Sequence, residues 1–196
     1  MQLRIHLLHK TNTYIKRSTL FAIALILSVT SLTALITPKA EATSLPNMVA
    51  DSSFDIGSGF QNGSTSSIYS IAIQPNGKIL VGGNFTTFNG ATQNRLVRLN
   101  ADGSKDSSFD IGSGLNAAVY SIAIQPNGKI LVGGDFTSFN GATQNYLVRL
   151  NADGSKDSSF DIGIGLNAIV YSIAIQPDGK ILVGGNFTTF NGATQN

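Results

Sequence analysis

The sequence predicts an all-β fold built from repeated blades of about four antiparallel strands, and three observations support this prediction. First, a unit of about 50 residues occurs twice in the 196-residue chain and then starts a third time. Second, each copy contains segments in which bulky and small residues alternate with the period of two that strands show. Third, Gly-rich turns separate these segments, and no helical pattern follows the N-terminal region. Together these features are typical of β-propeller blades.

The three copies span residues 51–105, 106–156 and 157–196. The first carries four extra residues within Phe60 to Ser67, and the third stops before its last strand. Propellers usually close with about four to eight blades. We therefore expect two blades plus a partial third, either as a fragment of a longer propeller or in assembly with other repeats of the same or another chain.

The first 42 residues have the features of a secretory signal peptide. Basic residues precede an uncharged run at 20–36, and a small-x-small site follows at 40–42. Cleavage there would make Thr43 the first mature residue and 43–50 a short linker. The sequence thus predicts a protein that is secreted, held at the cell surface or periplasmic, with no membrane span after cleavage. Retention of the apolar run as an anchor is the alternative.

Cleavage would also change the charge and the chemistry of the chain. Of 13 Lys and Arg residues 5 lie in the leader, and of 11 Asp and Glu residues 1 does, so the mature charge is 8 − 10 = −2. The mature chain has no His, Glu, Cys or Trp. A weakly acidic chain with scattered Lys and Arg is not expected to bind nucleic acid. Stability must come from packing across repeats, because no disulfide can form.

The middle copy shows the predicted elements most clearly. Tyr120, Ile122 and Ile124 are expected on one face of a strand at 119–125, opposite two small residues. The turn 126–128 should lead into a second strand at 129–136, where the pair Gly133-Gly134 would permit close backbone approach or a bulge. The prediction continues with a loop at 137–145, a third strand at 146–151 and a short fourth strand at Asp157–Ile162.

Two segments of the first copy, SIAIQPNGKILVGGNF and FNGATQNRLVRLNADGSKDSSFD, resemble the delta-60 repeat family of bacterial β-propeller modules. The resemblance covers 51–196 and implies an exported repeat protein with no known catalytic residues. The kelch repeat is a weaker match, since it needs a Trp. The Asp box of sialidase-type propellers is matched by Ser53, Asp55, Gly57 and Phe60, and in that family the box is a turn and not an active site.

No catalytic site is predicted. Without His or Cys, neither a Ser-His-Asp nor a Cys-His arrangement can form. The equivalent residues Asp55, Asp110 and Asp161 would lie on a ring instead of facing each other, so we expect them to tie turns through bonds to backbone N–H groups. We expect no cofactor.

Two other sets of side chains are candidates for ligand binding. One set has oxygen atoms spaced as in loops that bind calcium. Asp-Gly turns account for the same residues without a metal, so we predict no metal site. These residues are Asn100, Asp102, Asp106, Asn151, Asp153 and Asp157. Amide side chains in the loops are candidates for ligand binding, namely Asn89, Gln93, Asn94, Asn140, Gln144 and Asn145. The accompanying Phe85 and Phe88 are expected to pack between blades.

The sequence therefore predicts an exported, non-enzymatic binding or scaffolding segment whose specificity comes from loops at one end of the blades. Its partner would be an unknown protein or carbohydrate. The alternatives are a fragment of a propeller hydrolase or lyase whose catalytic residues lie in other blades, and a truncated product without a function of its own.

Overall fold

The computed structural model describes residues 51–194, and the predicted signal peptide and linker lie outside the described residues. The described part is all-β, which confirms the predicted fold class, and it has no helix long and apolar enough to cross a membrane. Its strands are β1 (Phe60–Gln61), β2 (Ser67–Ile73), β3 (Ile79–Asn84), β4 (Thr87–Phe88), β5 (Ala91–Thr92), β6 (Leu96–Leu99), β7 (Val119–Ile124), β8 (Ile130–Gly134), β9 (Ser138–Phe139), β10 (Ala142–Thr143), β11 (Leu147–Leu150), β12 (Val170–Ile175), β13 (Ile181–Gly185), β14 (Thr189–Phe190) and β15 (Ala193–Thr194).

Each repeat forms one main antiparallel sheet and one small hairpin. The main sheets have the strand orders β2-β3-β6, β7-β8-β11 and β12-β13. The small hairpins are β4-β5, β9-β10 and β14-β15, and β1 adds to the first of them. The complete main sheets therefore have three strands, and one pair of short strands in each repeat forms the separate hairpin.

The predicted fourth strand at Asp157–Ile162 is wrong, because this segment forms a turn. The Asp157 carboxylate accepts a hydrogen bond from the backbone N–H of Ser159 at 3.1 Å, and the N–H of Phe160 bonds to the Asp157 carbonyl at 3.2 Å. Such local bonds compete with a strand ladder. Only a single bridge between Leu150 and Lys156 remains of the expected pairing.

The predicted turn at 126–128 is confirmed and joins β7 to β8. Gly128 has φ of 80°, and the side chain of Asn127 accepts a hydrogen bond from the N–H of Lys129 at 3.1 Å. In the third repeat, Asp178 accepts the equivalent bond from Lys180 at the same distance. Asn and Asp are thus interchangeable at this corner because only an oxygen acceptor is needed.

The alternation predicted for β7 is wrong at its first residues. Tyr120 is the extra residue of a bulge, since Val119 pairs with Gly134 and Ser121 with Gly133. The bulge changes the side-chain period, and Val119 therefore joins Ile122 in the core. Tyr120 does not share that face.

The glycine pair of each repeat explains both the bulge and the packing of adjacent repeats. A Cβ added at Gly134 would lie 2.1 Å from the carbonyl oxygen of Ala118, beside the bulge. A Cβ added at Gly133 would lie 2.5 Å from Cγ1 of Val170 in the next repeat. One glycine therefore admits the bulged backbone, and the other receives an apolar side chain of the following repeat.

The hydrophobic cores lie between the repeats. One cluster joins Leu80 and Leu96 of the first repeat to residues of the second, and another joins Leu131 and Leu147 of the second repeat to residues of the third. Hydrogen bonds cross the same seams, since the hydroxyl of Ser121 accepts from the N–H of Ile173 at 3.0 Å. Adjacent repeats therefore bury one another's apolar faces, as blades of a propeller do.

Candidate functional site

Two of the three side chains proposed as calcium ligands in the first cluster, Asn100 and Asp106, contact a lysine ammonium group. In the first repeat Nζ of Lys78 donates to Oδ1 of Asn100 at 2.6 Å and lies 3.0 Å from Oδ2 of Asp106. Asp102 accepts bonds from the N–H and the hydroxyl of Ser104 at 3.0 and 2.6 Å. The side chain of Lys78 thus supplies the positive charge that the oxygens of Asn100 and Asp106 face, and Asp102 bonds to its own turn.

A buried arginine completes this cluster. Nε of Arg98 donates to Oδ2 of Asp106 at 2.7 Å, and its guanidinium lies 4.6 Å from the ring centroid of Phe109. The same guanidinium bonds to the carbonyl oxygen of Ala152, in the terminal turn of the following repeat. The ion pair therefore also links two repeats.

The second repeat repeats this arrangement around Asn151, Asp153 and Asp157. Lys129 bonds to Asn151 and lies 3.3 Å from Asp157, and Nε of Arg149 donates to Asp157 at 2.8 Å. Among residues 51–194, no three or more His, Cys, Asp or Glu side chains group as metal ligands do. The geometry gives these residues a role in closing the strand-end turn.

The ionised form of Asp106 is strongly favoured in the folded state. Burial opposes ionisation, but hydrogen bonds from Ser108, Lys78 and Arg98 outweigh it and hold the pKa of Asp106 well below its ordinary value. In the equivalent cluster around Asp157, the hydrogen bond from Ser159 is the main reason why the pKa of Asp157 is also lowered. Both carboxylates are therefore permanent anions near neutral pH.

The loop amides proposed as ligand-binding groups all make internal contacts. Oδ1 of Asn89 and of Asn140 accepts bonds from the serine N–H of the preceding turn at 3.1 Å. The amide groups of Gln93 and Gln144 are buried and donate to backbone carbonyls at 2.6 Å. Asn94 and Asn145 donate to carbonyls of the following repeat at 2.8 and 3.4 Å. Ligand binding by these residues stays a prediction.

The equivalent aspartates Asp55, Asp110 and Asp161 have the role expected of them. Each accepts a hydrogen bond at 2.8 Å from the backbone N–H of the glycine two residues later. These glycines have positive φ, between 57° and 59°. The carboxylates therefore shape a turn at the start of each repeat.

Several positions at which the copies differ lie together at one edge of the blades. Asn84 is replaced by Asp135 in the second repeat, and Arg95 by Tyr146. In the first repeat, Oδ1 of Asn84 accepts bonds from Arg95 and, at 3.0 Å, from Asn62 of the inserted segment. Differences far apart in the sequence are therefore in direct contact.

A row of tyrosines lies against this edge. The rings of Tyr69, Tyr120 and Tyr171 follow one another across the three repeats, with centroids 5.2 and 5.7 Å apart. Tyr69 and Tyr171 are 49% and 48% exposed. Asn186, the third-repeat counterpart of Asn84, donates to the Tyr171 hydroxyl at 3.1 Å. We call these groups the variable edge, and they are Asn62, Tyr69, Asn84, Arg95, Tyr120, Asp135, Tyr146, Tyr171 and Asn186.

Two side chains of the variable edge, Tyr120 and Arg95, have pKa values that depart from their ordinary values, and within residues 51–194 Arg95 also lacks one hydrogen bond. Burial, the charge of Asp135 and the neighbouring tyrosines raise the pKa of Tyr120. Burial lowers the pKa of Arg95, whose Nε is buried without a hydrogen-bond partner in the described part of the chain. Arg95 also has φ of 68°, which is uncommon for a residue other than glycine. An aromatic row beside amides and one cation can stack on flat ligand groups and bond to polar ones.

The sequence prediction did not include the tyrosine row. Tyr120 was expected to share a face with Ile122, and only the bulge places it at the exposed edge. A signal was nevertheless present, because the copies differ at 84 and 95 while the surrounding strands are nearly identical. Comparison of the copies position by position would have identified this edge.

Sheets stacked in series, with a shared core at every seam, are the packing of β-propeller repeats. Residues 74–109, 125–160 and 176–196 match the family model described as a beta-propeller domain of unknown function (DUF5122). Searches of curated proteins and of solved structures found no match to the chain.

Proposed function

We propose that this protein is an exported, non-enzymatic β-propeller segment of the bacterial delta-60 type, which binds a partner at or outside the cell surface through its variable edge. The observation that carries the proposal is the contact between the positions that differ among copies and the half-exposed tyrosines. Most side chains of the strands and turns that repeat unchanged are used in packing, whereas Tyr69 and Tyr171, which also repeat unchanged, are about half exposed. A surface that varies on a constant scaffold is where binding specificity is expected.

The chemistry of the carboxylates supports a binding role over a catalytic one. Asp106 and Asp157 are held in ion pairs, and Asp55, Asp110 and Asp161 bond to backbone turns. After residue 42 the sequence offers no His, Glu or Cys as a proton-transfer group or nucleophile. The partner is a protein or a carbohydrate, because exposed tyrosines and amides are suited to both.

The test is to screen the full chain on a glycan array and against a displayed-peptide library, beside a Tyr69→Ala/Tyr171→Ala variant. We expect the wild-type chain to bind ligands in these screens. The double variant should bind the same ligands at least about tenfold more weakly, because stacking area is lost. Asp178→Asn is the matched control, because Asp178 lies in the turn after β12, beyond the end of the strand that begins near Tyr171, and the other copies carry Asn there. Ligands whose affinity is unchanged by the tyrosine substitutions but reduced by Asp178→Asn would contradict the proposal.

Export is tested separately by N-terminal sequencing of the protein recovered from culture medium, periplasm and membranes. We expect Thr43 at the N-terminus of the recovered protein. Retention of the intact N-terminus in the cytoplasm would contradict export.

A further inference from the structure

The second repeat contains a cavity that shares no residue with the variable edge. The cavity has a volume of about 360 Å³ and lies where the first turn of the repeat, the β9-β10 hairpin and the terminal turn meet. Sites for small molecules have volumes of about 300–1,000 Å³. All of its lining residues belong to the second repeat, although a described repeat lies on either side. The cavity is therefore built by one complete repeat and is not closed by its neighbours.

The floor of this cavity is apolar and already fixed by packing. Ile111 and Phe139 line it, and both belong to the hydrophobic core that joins the first two repeats. Gly154 lines another side, where an added Cβ would lie 2.6 Å from the carbonyl oxygen of Asp110. Only glycine therefore allows the terminal turn to approach the first turn this closely. A ligand would meet a preformed surface.

Three exposed side chains at the rim each keep an unused hydrogen-bonding group. Oδ1 of Asp110 accepts from the N–H of Gly112 at 2.8 Å, which leaves the second carboxylate oxygen without a partner in the described part of the chain. Oδ1 of Asn140 accepts from the N–H of Ser113 at 3.1 Å, and its Nδ2 donates to no described group. Nζ of Lys156 likewise has no ion pair or hydrogen bond within the described residues. The rim thus offers one acceptor and two donors.

These groups favour a neutral sugar over a charged ligand. Asp110 and Lys156 have opposite charges and are not joined by an ion pair, so the rim carries no net charge. Exposed ion pairs contribute only about 0–1 kcal/mol, and a charged or zwitterionic ligand would therefore gain little here. Sugar hydroxyls both donate and accept hydrogen bonds, as this mixed rim requires. The C–H groups of a sugar ring can cover the apolar floor.

The first repeat carries the same groups in the same arrangement. The counterparts of the floor and rim residues are Asp55, Ile56, Phe88, Asn89 and Lys105. Asp55 accepts from the N–H of Gly57 at 2.8 Å, and Asn89 accepts from the N–H of Ser58 at 3.1 Å. A Cβ added at Gly103 would lie 2.6 Å from the Asp55 carbonyl oxygen, as at Gly154. Two equivalent places on adjacent blades suit a ligand made of repeated units.

We propose that this cavity, together with its counterpart in the first repeat, binds single units of a neutral oligosaccharide. The free carboxylate oxygen of Asp110 accepts from one hydroxyl, and Asn140 and Lys156 donate to others. The C–H face of the sugar covers Ile111 and Phe139. The site is separate from the variable edge, so it does not rest on the function proposed for that edge.

The first test titrates the full chain with neutral trisaccharides of glucose, galactose, mannose and N-acetylglucosamine, followed by amide NMR. At least one trisaccharide should shift the amides of Gly112 and Ser155 saturably. The affinity should be the same at low and high salt, because the site carries no net charge. The Tyr69→Ala/Tyr171→Ala variant should bind the trisaccharide as tightly as wild type, which separates this site from the variable edge.

The second test changes the rim without changing the turns. Asp55→Asn/Asp110→Asn should weaken the trisaccharide at least about tenfold, because an amide N–H₂ replaces the free acceptor while the Asn oxygen still accepts the glycine N–H.

A third test fills the cavities. Ala91→Phe/Ala142→Phe should abolish binding, since Ala142 is exposed and lines the cavity. The matched control is Thr92→Phe/Thr143→Phe, at the next positions of the same strands, which point to the opposite face. The control variant should keep the wild-type affinity.

The proposal would be overturned if no trisaccharide gave a saturable shift, or if filling the cavities left the affinity unchanged. An equal loss of affinity in the threonine control would also overturn it. So would free phenylalanine that shifts the same amides more tightly and in a salt-dependent manner, because the occupant would then be a zwitterion.

Discussion

At the scale of single residues, the first glycine of a pair leaves the space in which a valine of the following repeat packs. Gly133 lies against Val170 and Ile173, whereas the nearest atom to a Cβ added at Gly184 would be Cβ of Ser172 at 4.0 Å. The two glycines have the same neighbours in sequence but different surroundings. This difference provides a matched pair of substitutions.

We expect Gly133→Ala to destabilise the protein by about 1–3 kcal/mol, because the added methyl overlaps a packed side chain. Gly184→Ala should change the free energy of unfolding by less than about 0.5 kcal/mol. Urea unfolding followed by circular dichroism measures both. Equal losses of stability in the two variants would show that the space at Gly133 does not contribute to packing between repeats.

Asp106 is the residue whose ionisation matters most for the seam between the first two repeats. Its folded-state pKa is lowered, so its contribution to stability is fully present above the unfolded-state pKa of about 3.9 and is lost as the pH falls toward the folded-state value. Wild-type protein should therefore lose thermal stability below about pH 4. Asp106→Asn should melt at a lower temperature at pH 7 and show a shallower acid decline. A variant with an unchanged acid profile would contradict this assignment.

At the scale of elements, the first strands of successive repeats are connected by a serine hydroxyl. Ser121 of β7 accepts from the N–H of Ile173 in β12, and Ser70 of β2 accepts equivalently from Ile122 in β7. The bond joins strands that do not share a sheet. It therefore fixes how far one blade can slide on the next.

Ser121→Ala should destabilise the protein by about 1–3 kcal/mol, because the Ile173 N–H loses its acceptor while remaining largely buried. Amide hydrogen exchange should become faster at Ile173 in particular. A general loss of stability would instead speed exchange at many residues. The control is Ser172→Ala in β12, an exposed position with no following repeat in the described chain. If both variants behave alike, the hydroxyl does not link the blades.

The elements that sequence predicted correctly are those fixed by local chemistry. Asn127-Gly128 makes its turn because the Asn oxygen and the positive φ of glycine need nothing beyond the turn itself. The glycine pair Gly133-Gly134 correctly predicted a close backbone approach or a bulge, but the position of the bulged residue, Tyr120, and the turn at Asp157 were missed. Each of these depends on a competition between a strand ladder and another contact. For the same reason the alternation of residue types did not predict the tyrosine row, although the differences between copies at 84 and 95 mark the edge beside it.

At the scale of the molecule, stability is shared between neighbours instead of being contained in each repeat. Leu131 belongs to the second repeat but is buried in the cluster with Val170 and Ile173 of the third. Removal of such a side chain should weaken two repeats together. Unfolding is thus expected to be a single cooperative transition.

Leu131→Ala should lower the free energy of unfolding by about 2–5 kcal/mol while the transition remains single. Leu182→Ala, at the exposed equivalent position, should cost less than about 1 kcal/mol. Tyrosine fluorescence and far-ultraviolet circular dichroism should give coincident curves for both variants. Separate transitions would indicate repeats that fold alone.

The paired glycines also bear on how such a gene can change its length. Both contacts between the described repeats pack a valine on a glycine, Val119 on Gly82 and Val170 on Gly133. A duplicated segment is therefore already compatible with both of its neighbours. Unequal recombination between copies would then add or remove a blade without any new interface having to evolve, and near-identity of the copies is what such recent expansion leaves behind.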